Sequence, residues 1–210
     1  MAVFSRRSQP PIPSYPCRTC ESRRYARYDK GQRHIYGKYR PYVREDFLSR
    51  CAYCMMDEVH YGGKFNFELD HFKPKKEFGK LVCRFTNLYY CCNKCNRTKS
   101  GKWPSPEAEA AGYRFLDPCS ENPYKKDLRE LQDYSLSGHT NAGCFTIKAL
   151  DLNRDELITY RKFKKEFALR ELRARQIEAM IRKIPEKKKA DALRKKFTEF
   201  CRLQMAQWLP

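Results

Sequence analysis

The sequence predicts an α+β protein, with a small zinc-knuckled strand–loop–strand–helix core followed by a helical C-terminal region. Three observations predict it. Two CxxC pairs, CAYC at 51–54 and CNKC at 92–95, bracket one segment. Inside that segment KFNFELD alternates apolar and polar residues with period two, as a half-buried strand does. Beyond residue 154, apolar residues recur at helical spacing.

The elements follow in chain order. Residues 1–16 are rich in Pro and Ser and read as a tail, and 17–40 carry Cys17, Cys20 and many Arg and Tyr without a clear period. Together, 1–40 form a basic N-terminal segment. PYVREDFLSR, 41–50, reads as a short helix with Pro in its first turn and Val43, Phe47 and Leu48 on one side. The strand at 64–70 should put Phe65, Phe67 and Leu69 on one face and Asn66, Glu68 and Asp70 on the other. Pro74 prevents simple continuation. A second strand is expected at 84–91 and a short helix from Cys92 to Gly101, which closes a core spanning 41–103. Residues 104–153 read as a linker with an Ala- and Glu-rich helical turn, then a small β hairpin with strands near 131–136 and 144–150 around the turn SGHTNAG. Asn153 is the expected cap of a helix with Glu156 at the capping-box position. Pro185 should end that helix, and a second amphipathic helix is expected from 187 to 207, within a helical region of 154–210.

Composition narrows the class. The chain has 210 residues, 41% apolar and 14% aromatic, which is enough to bury a core. No apolar run approaches membrane-spanning length, and the N-terminus lacks the apolar stretch of a secretory signal, so the expected compartment is the cytoplasm. Lys and Arg total 44 against 25 acids, a net charge of +19, with aromatics interleaved among the basic residues. A field of that sign attracts polyanions, nucleic acid foremost; the alternative is a solvated basic surface. The eleven cysteines are odd in number, and their close pairing in a reducing compartment points to metal rather than disulfides.

The two CxxC pairs can supply Cys51, Cys54, Cys92 and Cys95 to one tetrahedral zinc, with Cys91 as a less well-spaced substitute for Cys92. Four thiolates close the shell, so this zinc is structural. The loop it clamps carries ELDHFKPK and TNLYY. Asp70 and His71 can face one site only where the strand ends, because strand neighbours point to opposite sides. Asn96 directly follows Cys95, and Lys99 lies three residues on, on the same helical face. Asp and Asn oxygens suit Mg²⁺, and a neutral His suits proton abstraction from water.

ELDHFKPK, TNLYYC and CNKCNRTKSGKWP resemble the HNH, or ββα-metal, endonuclease family, a treble-clef-like fold, over about residues 51–103. The resemblance implies Asp70 and Asn96 as ligands of a catalytic Mg²⁺ (Mn²⁺ as substitute), His71 as general base and Asn87 as the residue that orients it. Asn96 stands where many members have His, which shifts preference toward Mg²⁺ over softer metals. Lys99 or Arg97 would neutralise phosphate charge. The implied reaction is hydrolysis of DNA phosphodiester bonds. A ribonuclease on the same scaffold and a catalytically silent zinc module that binds nucleic acid or protein are the alternatives.

YRFLDPCSENP and CFTIKALDLNRDELITYRK resemble, more loosely, the C-terminal part of bacterial HNH nucleases of anti-phage systems, Septu-type and retron-associated. That resemblance implies a defence role beside an ATPase, with the helices at 154–207 as docking surface or, alternatively, as core packing. Cys17 and Cys20 could hold a second zinc with Cys83, Cys91 or Cys119, or be ordinary thiols. Glu68 shares the Asp70 face and reads as a surface carboxylate, and Trp103 reads as packing. His34, His60 and His139 show no partner pattern.

Overall fold

A computed structural model describes residues 36–206, so the tail, Cys17, Cys20 and His34 lie outside the described residues. The described residues divide into two compact units, one ending at Thr159 and one beginning at Tyr160.

The first unit is built on a two-stranded antiparallel sheet. Strand β1 (Phe67–His71) pairs with β2 (Leu88–Cys92) in the register Phe67↔Cys92, Asp70↔Tyr89 and His71↔Leu88. Helix α1 (Arg40–Asp46) packs on β2, and helix α2 (Asn93–Lys99), which follows β2 without a linker, packs on both strands. With cover on both sides every residue of β2 is buried, which is why LYYCC is apolar throughout rather than alternating. Aromatic rings fill the space: Phe67 stacks on Tyr90 at 5.1 Å, and Phe72 on Tyr89 at 4.8 Å. Trp103 packs edge-on against Phe72 and Phe78, as expected for a core residue. Both Ser100 and Gly101 take positive φ and end α2.

The first strand is shorter than its alternation predicts. Residues 64–66 form a 3-10 turn, and Phe65 is 86% exposed. The paired strand begins only at Phe67, whose buried ring anchors it. A 3-10 turn at Phe85–Asn87 likewise delays β2.

Helix α3 (Pro106–Ala110) is the expected Ala- and Glu-rich turn, capped by Ser105. A single turn, α4 (Pro123–Lys126), leads into a hairpin of β3 (Leu128–Glu130) and β4 (Leu136–Gly138). This corrects the expected hairpin. Residues 131–135 are its turn, with Asp133 accepting from the Ser135 backbone N–H and hydroxyl. Residues 144–150 belong to a helix, α5 (Asn141–Leu150), capped by Thr140. The side-chain amide of Asn153 brackets Leu136, accepting from its N–H and donating to its C=O, and the next helix, α6 (Asp155–Arg182), starts two residues later.

The second unit comprises most of α6 and helix α7 (Lys187–Ala206), separated around Pro185 as expected. Phe167, Leu172, Met180, Phe200 and Leu203 are exposed on these helices. Among the described residues no helix is long and apolar enough to cross a membrane.

Candidate metal centre and active site

The four sulfurs of Cys51, Cys54, Cys92 and Cys95 lie within 4.8 Å of one another, and all four residues are buried. Sulfurs held about 2.3 Å from one tetrahedral zinc lie roughly 3.8 Å apart. The Cys54 and Cys92 sulfurs are 3.8 Å apart, so the donor set fits that ion. Burial pushes the Cys51 and Cys54 thiols up, while hydrogen bonds from neighbouring thiols, Cys51 first, hold Cys92 well below the usual thiol range. A buried cluster of this kind favours thiolates only if a cation compensates them. The choice between Cys91 and Cys92 is settled by strand alternation, because the Cys91 thiol turns to the Glu68 carbonyl. Among the described residues this is the one group of cysteines close enough to hold a metal, so Cys83 and Cys119 join no second cluster there.

One member of the centre has no local sequence signal. The Arg154 guanidinium donates to Cys95 Sγ at 3.4 Å. Burial alone would lower the pKa of Arg154; the cysteines, Cys95 first, more than offset it and raise it. Four thiolates on a divalent zinc leave excess negative charge, and a buried guanidinium answers it.

Directly after Cys95, Asn96 is half-buried and donates to Glu68 of β1. One turn further on α2, Lys99 forms a salt bridge of 2.9 Å to Asp70 Oδ2 and donates to the His71 carbonyl at 2.8 Å. Helix α2 therefore lies along β1 as two rungs, Glu68–Asn96 and Asp70–Lys99. Lys99 is fully buried, and its side-chain nitrogen is engaged by Asp70 and the His71 carbonyl. Arg97 is exposed. The Asp70 carboxylate also accepts from the hydroxyl of Tyr53, one of the two residues between Cys51 and Cys54, through the same oxygen, Oδ2. Burial first, then the charge of Asp70, pushes the Tyr53 hydroxyl far up, so it keeps its proton and donates. No hydrogen bond joins Asp70 to Asn96.

His71 ends β1 and turns to other neighbours. Its Nε2 lies 2.8 Å from the Val82 carbonyl, and its ring meets Tyr36 edge-on at 4.9 Å. A carbonyl only accepts, so the proton sits on Nε2 and Nδ1 keeps its lone pair. Burial is the main cause that holds the His71 pKa below its ordinary value, with Lys75 adding to it.

Asn87 makes no hydrogen bond to the His71 ring. Its amide oxygen accepts from the Lys73 N–H at 2.8 Å, and its nitrogen donates to the Lys73 carbonyl at 3.1 Å and the Leu81 carbonyl at 3.3 Å. It thus ties both ends of the loop between the strands and delivers Val82 to His71. Its side-chain hydrogen bonds go to loop backbone and not to the ring expected to receive it.

The chain is similar to the Septu protein PtuB of Bacillus thuringiensis, with 26% identity over 133 residues, covering 60% of this chain and 46% of that protein. The chain thus spans about half the length of the curated relative it matches. No family model matches it. No solved structure matches it.

Proposed function

We propose that this protein is a metal-dependent endonuclease of the HNH type that hydrolyses DNA phosphodiester bonds in an anti-phage defence system. One observation carries the reading. The β1–β2–α2 unit, closed by the four-cysteine cluster, carries Asp70, His71, Asn87 and Asn96 in the chain order that the HNH resemblance requires. The similarity to a Septu protein supports the defence setting; an ATPase partner is proposed from the sequence resemblance alone.

His71 supplies the base. With Nε2–H held by Val82, Nδ1 accepts a proton from water, and the water oxygen forms its bond to phosphorus as the bond to the 3′ oxygen breaks. Solvent protonates the departing oxygen. Burial keeps the imidazole neutral and ready to accept. Asn87 holds the loop that positions Val82. Asp70 and Asn96 would hold the divalent cation, Mg²⁺ first and Mn²⁺ second, and that cation would neutralise phosphate charge.

The silent zinc module is favoured by a different observation, the buried ion pair of Asp70 with Lys99, an arrangement that a purely structural carboxylate would also adopt. Incubation of plasmid DNA with the protein and Mg²⁺ separates the two, with single-stranded DNA and tRNA in parallel to test the ribonuclease. The expected result is nicking or cleavage of DNA by wild type and a loss of at least a hundredfold in His71→Ala. Equal cleavage by the two proteins excludes His71 as base.

A further inference from the structure

Tyr53 belongs to neither the zinc shell nor the catalytic set, yet it connects them. It is the third residue of CAYC, so two cysteines of the cluster fix its backbone on either side. Its ring is buried and stacks on Tyr89 at 6.1 Å, and Tyr89 stacks in turn on Phe72, the residue after His71. With backbone and ring both held, the hydroxyl has one place to go, and it donates to Asp70. Two donors of different origin, Tyr53 Oη from the knuckle and Lys99 Nζ from α2, converge on the same carboxylate oxygen, Oδ2. Oδ1 of Asp70 takes no hydrogen bond from the described residues.

We infer that Tyr53 is a positioning residue: with Lys99 it occupies Oδ2 of Asp70 and leaves Oδ1 as the single carboxylate oxygen offered to a divalent cation. Ligation by Asp70 is then monodentate, as suits the strict octahedral demand of Mg²⁺. The inference rests on the nuclease reading of Asp70. It also gives the zinc cluster a task beyond stability, since the knuckle that holds Tyr53 sets the carboxylate.

Removal of one hydroxyl isolates this effect, because Tyr53→Phe keeps the ring and its stacking. Full-length, zinc-loaded wild type, Tyr53→Phe and Asp70→Ala are titrated with Mn²⁺, and free Mn²⁺ is read by electron paramagnetic resonance. Zinc content and thermal midpoint are measured on the same samples. The expected result is one Mn²⁺ site in wild type, its loss in Asp70→Ala, and an affinity about tenfold weaker in Tyr53→Phe with zinc and midpoint retained. On DNA, Tyr53→Phe should raise the metal concentration for half-maximal rate and largely keep the rate at saturating metal. Mn²⁺ binding by Tyr53→Phe equal to wild type overturns the inference and leaves the nuclease reading standing. A Tyr53→Phe protein that drops its zinc marks Tyr53 as a packing residue and overturns it too. Wild type that binds no Mn²⁺, or binds it as Asp70→Ala does, removes the metal-ligand reading of Asp70 itself.

Discussion

At the scale of single residues, two groups of buried charge contact the β1–β2 sheet. Asp70 and Lys99 form one, inside the candidate site. Glu58 anchors the other, below β2: Arg44 donates to both its carboxylate oxygens at 2.7 Å, and the Tyr90 hydroxyl donates to Oε1. The hydrogen bonds from Arg44, helped by Tyr90, outweigh burial and hold the Glu58 carboxyl below its ordinary value. A carboxyl whose pKa is lowered by folding adds stability above its unfolded pKa, and that stability disappears as pH falls through the folded value. Glu58→Gln should therefore cost about 1.5–3 kcal/mol near pH 7, and the difference from wild type should shrink below about pH 4. Urea unfolding of both proteins at neutral and acid pH checks this, and a constant difference across that range contradicts it. The catalytic candidates Asp70, His71, Asn87 and Asn96 were all legible as residue types at a spacing. Tyr53, Glu58 and Arg154 were not, since their importance comes from partners 17, 32 and 59 positions away.

At the scale of elements, α5 is where local reading failed. CFTIKAL looks like a strand because Phe145, Thr146 and Ile147 favour extended backbone. The helix buries Ala142, Gly143, Thr146 and Leu150, a helical period hidden because half of those residues are not conventional hydrophobes. Two of them are fixed by tertiary contact. The Thr146 hydroxyl accepts from the Leu116 N–H at 2.9 Å. Gly143 lies so close to the chain before β3 that an added Cβ would stand 2.3 Å from the Asp127 carbonyl oxygen. Gly143→Ala should thus destabilise the first unit by about 1–3 kcal/mol through overpacking, despite the better helix propensity of Ala. Thermal unfolding tests it, and an unchanged or higher midpoint would show that α5 can shift away from the hairpin. The metal-core elements were easier to read, because CxxC spacing, the strand ending before Pro74 and the terminator Ser100–Gly101 are all local signals.

At the scale of the molecule, the four-cysteine cluster is the feature on which the first unit closes. It joins the segment after α1 to the junction of β2 and α2, and Arg154 adds the start of α6. A chain closed this way stores metal-binding free energy as folding free energy. Metal analysis should find one zinc retained after EDTA dialysis of folded protein. A strong thiophilic chelator should strip it and lower the thermal midpoint, which zinc alone, not Mg²⁺, should restore. Folded protein without zinc would contradict the knuckle. By itself the sequence determined the α+β class, the four clustered cysteines, the two C-terminal helices and the order of the candidate catalytic residues, because each is written in spacing and periodicity over a few residues. Tertiary structure alone decided that Lys99 is buried against Asp70, that the Asn87 amide bonds the loop backbone, and that the Tyr53 hydroxyl donates to the Asp70 carboxylate. Those are relations between groups distant in the chain, and burial and hydrogen-bond partners exist only once the elements have packed.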